Sequence, residues 1–167
     1  IGDGELTQLD VNFSTPVSFI EGGRLTVEGY LRHSEVTDPV TGHARIISET
    51  PESQIEVNFR QDLPDLRLAW GVSVFKQGEF QVYRFNETDT NEEGPWVDVF
   101  IETTALPNDM KLRLWAANIT DGTINRERRF FGDSGNPNRN GPLNRVDLRE
   151  RQFAEAPWFI LELSGTF

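Results

Sequence analysis

The residues able to do chemistry are few and poorly grouped. His33 and His43 stand ten positions apart, and neither has a serine or carboxylate arrangement nearby that would make a triad or a zinc site. Both read as loop residues. The chain has no cysteine, which removes disulfides, thiolate metal sites and Cys nucleophiles together. Gly132-Asp133-Ser134-Gly135 and Gly22-Gly23 are not phosphate loops, because no Lys-Ser/Thr and helix follow either. Asn86, Glu87, Asp89, Asn91, Glu92 and Glu93 offer the oxygens that Ca²⁺ accepts, but a solvated external loop is the simpler reading. Trp70, Trp96, Trp115 and Trp158 would make a sugar platform only if they shared a face. Arg126, Arg128, Arg129, Arg149 and Arg151 could meet an anionic ligand or lipopolysaccharide. Cross-strand pairing with Glu127, Asp147 and Glu150 is favoured instead. No catalytic residue, metal ligand or cofactor site is therefore expected, and the chain reads as a non-enzyme.

The elements that position these residues must be strands. No run of about eighteen apolar residues occurs, which excludes a membrane-spanning helix and says nothing against strands that alternate. With 167 residues and 37% hydrophobic content, a soluble single domain is also affordable. The net charge of −11 argues against nucleic acid as a partner, since phosphate binding needs clustered Lys and Arg. The chain begins at Ile1 without Met or a charged-then-apolar leader, and the expectation is that it is processed or cut from something longer.

Period-two alternation recurs along the whole chain. It predicts strands over Glu5–Phe13, Arg24–Arg32, Gln54–Gln61, Leu66–Val74 with a weaker continuation to Phe85, Trp96–Thr104, and Met110–Ala116 with a continuation past Asn118 toward Phe131. A final strand starts between Val146 and Ala156 and ends at Phe167. In that strand Phe159, Leu161, Leu163 and Phe167 share one face, and Glu162, Ser164 and Thr166 the other. Seven strands result. Their connections alternate: short turns after Phe13, Gln61 and Thr104, and long polar segments after Arg32 (34–53), Phe85 (86–94) and Phe131 (132–144).

The charges segregate as well. Arg24, Glu28, Arg32, Glu56, Arg60, Arg67, Asp98, Glu102, Lys111, Arg113 and Glu162 all fall opposite the apolar face. One Arg or Lys on a lipid-facing position near mid-membrane costs about 2–4 kcal/mol, so a membrane sheet has to show this separation. The pattern puts Trp70 on the lipid side, as part of an interfacial aromatic girdle, and Trp96, Trp115 and Trp158 on the wet side. Two alternatives stay open. One is a soluble secreted or periplasmic β-sandwich that binds carbohydrate through its Trp residues. The other is a small stand-alone barrel gaining an eighth strand by a break near Gly78.

Asp38-Pro39-Val40-Thr41-Gly42 with Arg45, Phe59-Arg60-Gln61-Asp62-Leu63-Pro64, Ala69-Trp70-Gly71, Asn118-Ile119-Thr120-Asp121, Arg126, Arg128, Phe131, Arg149, Arg151 and the closing Leu163-Ser164-Gly165-Thr166-Phe167 occur in order over nearly the whole chain. Together they resemble the C-terminal barrel region of TonB-dependent outer-membrane receptors. The resemblance implies an all-β, antiparallel, up-and-down transmembrane barrel segment in the bacterial outer membrane, spanning 1–167 and lacking the plug domain and the TonB-contacting segment. It implies uptake of a scarce nutrient (an iron chelate, a cobalamin or an oligosaccharide) powered by the TonB complex. Seven strands cannot close a barrel, because single-chain bacterial barrels use even numbers from eight upward and plugged transporters about twenty-two. The expected partners are therefore outer-membrane lipid, the remaining strands and the plug, supplied by another chain or by a missing N-terminal portion.

Overall fold

The computed structural model describes residues 3–152 and 157–165. Ten strands form one open antiparallel sheet: β1 (Gly4–Pro16), β2 (Gly23–Thr37), β3 (Ala44–Arg45), β4 (Ser53–Leu63), β5 (Leu68–Tyr83), β6 (Glu87–Thr103), β7 (Lys111–Ala117), β8 (Thr123–Phe131), β9 (Leu143–Gln152) and β10 (Trp158–Ser164). The described residues contain no α-helix. They run in the order β1-β2-β4-β5-β6-β7-β10, with β3 on β2, β8 on β6 and β9 on β8. The count exceeds seven for identifiable reasons. β3 is a two-residue addition to the far end of β2, and β7 and β8 both lie along the single long strand β6. Between them Asn118 and Asp121 adopt positive φ (51° and 53°), which breaks the ladder. β10 continues the sheet beside β7, and β9 beside β8. Residues 153–156 and the terminal Thr166 and Phe167, on which the expected aromatic terminus depends, lie outside the described residues.

Register turns the alternation into two faces, since directly paired residues project to the same side. One row reads Thr15, Leu25, Phe59, Val72, Val99, Ala116 and Phe159. The next reads Trp70, Ile101, Leu114 and Leu161, and a third Phe13, Val27, Val57, Val74 and Val97. The opposite side carries Ser14, Thr26, Asn58, Ser73 and Asp98, and beside them Arg24, Arg60, Gly71, Phe100 and Trp115.

This sheet encloses no hydrophobic core. The buried apolar side chains among the described residues are Ala69 and Ala117, whereas Leu9 is 61% exposed and Leu161 69%, with Phe13, Ile101, Leu114 and Leu163 also exposed. Burying one such side chain is worth about 1.5–3 kcal/mol, so a face of them left open is a large unrealised stabilisation.

At one end the connections are compact and tied together. Arg67 closes the Pro64–Leu66 turn in the left-handed region (φ 51°), so β5 starts at Leu68 and Leu66 belongs to the turn, not to the strand expected there. Gly22 (φ 71°) lets the turn before β2 lie against the next one: a Cβ there would stand 2.0 Å from the Asp62 carbonyl oxygen, and the Asp62 N–H donates to Gly22 O at 3.0 Å. The Arg67 carbonyl in turn accepts from Thr104 N–H at 3.0 Å.

The other end differs from the sequence expectation. β2 runs on to Thr37, and the supposed acidic loop 86–94 is strand from Glu87: its residues between Thr88 and Glu93 pair with β5 on one side, and Glu87 to Glu93 pair with Phe130 to Ile124 of β8 on the other. The connection between β5 and β6 shrinks to residues 84–86, closed by Arg84 N–H to Glu87 O at 2.8 Å. Acidic composition suggested a solvated loop. The matching arginines on β8, 37 and 41 residues away, make it a strand.

Candidate functional site

The strand ends beyond the apolar rows gather the charged groups. Asp38 sits at the tip of β2 and is 1% exposed. One carboxylate oxygen accepts from the Val40 and Thr41 N–H groups at 2.7 and 3.1 Å, the Asx-type turn that the Asp-Pro-x-Thr-Gly spelling favours. Arg45 Nε donates to the other oxygen at 2.6 Å, and Arg139, 101 positions along the chain, grips both through Nη1 (2.5 Å) and Nη2 (2.8 Å). Burial pushes this carboxyl up, but the Arg139 fork, the two N–H donors and Arg45 outweigh it and hold it well below the usual range.

Arg139 does more than neutralise. Its Nε donates to Arg84 O at 2.5 Å and its backbone N–H to Phe85 O at 3.1 Å, while Asn140 Nδ2 donates to Val40 O at 2.8 Å. The guanidinium carbons of Arg45 and Arg139 lie over the Tyr83 ring, 4.4 and 5.3 Å from its centroid. One buried carboxylate thus joins three of the connections at this end: 38–43, 84–86 and 132–142.

A second cluster adjoins it on β6 and β8. Arg128 clasps Glu87 through Nε (2.6 Å) and Nη2 (2.9 Å). Arg126 clasps Asp89 in the same two-pronged way through Nε (2.7 Å) and Nη2, and Arg84 Nη1 reaches Glu87 at 2.8 Å. Glu87 and Asp89 are buried, and the hydrogen bonds from Arg128 and Arg126 respectively lower their pKa values against the cost of burial. The expected pairing is met for three of the five arginines, and with an expected carboxylate for Arg129 alone; among the described residues no ion pair engages Arg149 or Arg151. Arg126 and Arg128 take β6 carboxylates, Arg129 takes Glu127 on its own strand, and Asp147 pairs with Arg145. Because Glu87 and Asp89 are engaged in strand ion pairs, both the calcium and the open-loop readings of 86–93 fail.

Midway along the sheet the polar face forms a concavity of about 520 Å³ lined by Arg24, Asn58, Arg60, Asp98, Arg113 and Trp115, among others. Arg60 bridges to Glu102 at 2.6 Å, and Arg113 stacks over Phe100 at 4.2 Å. Gly71 makes room for that ring: a Cβ would come within 2.5 Å of Phe100 Cε1.

The remaining candidates are not brought together. His33 lies exposed opposite Thr7, and His43 lies exposed in the turn after Asp38. Among the described residues no three His, Cys, Asp or Glu side chains are placed to hold a metal. Trp70 belongs to the apolar face, packing on Phe59 at 5.3 Å and donating to Gln61 Oε1 at 2.9 Å, whereas Trp96, Trp115 and Trp158 fall on the other side. No shared Trp platform results. The Asp38–Arg139 contact escaped sequence reading altogether, since the only signal was the turn motif at one of its ends.

No family model, no curated protein and no solved structure matches this chain.

Proposed function

We propose that the chain is the C-terminal part of a TonB-dependent outer-membrane receptor, a strand segment of a larger transmembrane barrel that takes up a scarce nutrient from outside the cell. Outer-membrane lipid covers the apolar face. The polar face lines the lumen around a plug, and the Asp38 end projects outside. The remaining strands complete the barrel along β1 and along β9–β10, because an open edge in hydrocarbon leaves unpaired N–H and C=O groups at several kcal/mol each. The TonB complex supplies the energy.

One observation carries the reading: a single-layer sheet whose paired rows are apolar on one side and charged on the other, with nothing among the described residues packed over the apolar side. A β-sandwich needs a second sheet about 10 Å away. β5 and β6, at 16 and 17 residues, also exceed the 9–11 that cross a bilayer, which suits strands that continue outward.

These 167 residues contain no cysteine, so one introduced among them is the segment's single labelling site. In the full-length protein reconstituted in vesicles, single cysteines carrying a fluorophore at Ile101 and Leu114 are expected to be quenched by brominated acyl chains, and labels at Glu102 and Trp115 are not. Equal insensitivity at all four positions would end the membrane reading. Absence of an upstream plug from the complete coding region would remove the receptor assignment while leaving the barrel.

A further inference from the structure

The ion pairs on β6 and β8 leave a residue of positive charge in a strongly acidic chain. β8 and β9 together carry Arg126, Arg128, Arg129, Arg145, Arg149 and Arg151 against Glu127, Asp147 and Glu150. In register, Arg126 stands directly opposite Arg149, and Arg128 opposite Asp147, so these four share one face. Like charges placed opposite each other destabilise a ladder unless something lies between or beside them. Asp89 compensates Arg126. Among the described residues no carboxylate compensates Arg149, which is exposed.

The arginine forks are also held in place. Glu87 and Asp89 are 5% and 2% exposed behind Arg128 and Arg126, whose side chains remain about a third exposed. Each clasp uses Nε and Nη2, so Nη1 of both guanidinium groups stays available. Arg126, Arg128, Asp147, Leu148 and Arg149 line a pocket of about 250 Å³, smaller than the 300–1,000 Å³ typical of drug-sized ligands. The hollow of about 380 Å³ that also touches Arg126 and Arg149 lies on the other side of the ladder, where the register places Glu92, Glu127 and Glu150, and those carboxylates make that side unfavourable for an anion.

We infer that this pocket is a binding site for a small, soluble, multiply charged oxyanion, a polycarboxylate or a phosphate ester. Arg149 supplies the uncompensated charge, and the Arg126 and Arg128 forks supply preset donors. Asp147 at the rim sets a lower limit on the ligand's charge by repelling weak anions. The inference requires only that this face be reached from solvent, and it holds whether or not the chain serves transport.

The test is calorimetric titration of the full-length protein in detergent, at fixed low ionic strength, with citrate and with inorganic pyrophosphate. At least one is expected to bind saturably, with affinity falling tenfold or more in Arg149→Gln and rising several-fold in Asp147→Asn. Arg129→Gln, on the opposite face, leaves it unchanged. Arg149 is exposed, and Asp147 joins an exposed pair with Arg145 and faces Arg128, whose clasp on Glu87 is independent of it, so both variants keep the fold. Equal affinity in wild type, Arg149→Gln and Asp147→Asn overturns the proposal, and so does binding of lipid A micelles with no response to either soluble anion. Neither result touches the lipid-quenching test, which reads different residues.

Discussion

The two ends of this sheet are held by different physics. In the half that runs from Leu68 to Val74 and from Val97 to Thr103, one face is uncharged and continuous, and stabilisation has to come from whatever covers it. Beyond Lys76 β6 carries Glu87 and Asp89 beside Arg126 and Arg128 of β8, and cohesion comes from paired guanidinium and carboxylate groups that need no cover. A single strand such as β6 thus passes from one regime to the other within 17 residues. The first half depends on its surroundings. The second is self-sufficient, and perturbations should separate them.

The largest effect is expected at Asp38. Asp38→Ala leaves Arg139 and Arg45, both mostly buried, without their carboxylate, and breaking a buried pair of this kind costs about 3–5 kcal/mol. The loss should be confined to the charged end: hydrogen exchange of residues 38–43 and 132–142 accelerates while that of 97–103 is unchanged. Uniform acceleration would show that the two halves unfold as one unit.

Next in size is the apolar half. Val99→Arg places a charge between Val72 and Ala116, and in vesicles it is expected to cost about 2–4 kcal/mol of folding free energy by denaturant titration. Ser73→Arg on the opposite face, beside Asn58 and Asp98, should cost well under half as much. Equal costs would mean that both faces meet the same medium.

Acid should act on the other half. Glu87, Asp89 and Asp38 are all depressed in the folded chain by their arginine partners, against ordinary values of 4.5 for Glu and 3.8 for Asp. A carboxylate held below its unfolded value contributes stability above that unfolded value, and the contribution is lost as pH falls toward the folded one. The charged end should therefore loosen progressively below about pH 4.5, as read by proteolysis of the 132–142 connection, while the apolar rows persist. Loosening on raising the pH from 5 to 8 would contradict the ion-pair account.

How much of this was legible depends on whether the signal was local. Alternation alone gave both faces, down to the separation of Trp70 from the other three tryptophans, because side-chain direction in a strand follows from neighbours two apart. The turns at the compact end were legible for the same reason, apart from a two-residue shift at Leu66, where Arg67 in the left-handed region restarts the strand. The charged end was misread because its signals are non-local. Residues 86–94 look like loop until Arg126 and Arg128 stand beside them, and Asp38 looks like a turn residue until Arg139 arrives from 101 positions away. The single strand over 110–131 was broken by Asn118 and Asp121 at positive φ, in residues that tolerate either conformation.

The smallest effect is expected at the border between the halves. Lys76 occupies the apolar side of β5, paired in register with Ile55, and its ammonium reaches Glu92 at 2.6 Å, with the two side chains 35% and 49% exposed. Such a pair contributes about 0–1 kcal/mol. Lys76→Leu removes it and extends the apolar rows by one position on β5, so the two consequences nearly cancel and stability in a bilayer of ordinary thickness should move by less than about 1 kcal/mol. The sign carries the information. If lipid covers this side, lengthening the acyl chains should turn the change favourable for Lys76→Leu and not for Lys76→Gln, because only leucine lengthens the apolar span to match. If water covers it, the two variants should respond alike at every chain length, and the contrast between the two ends would then be one of charge alone.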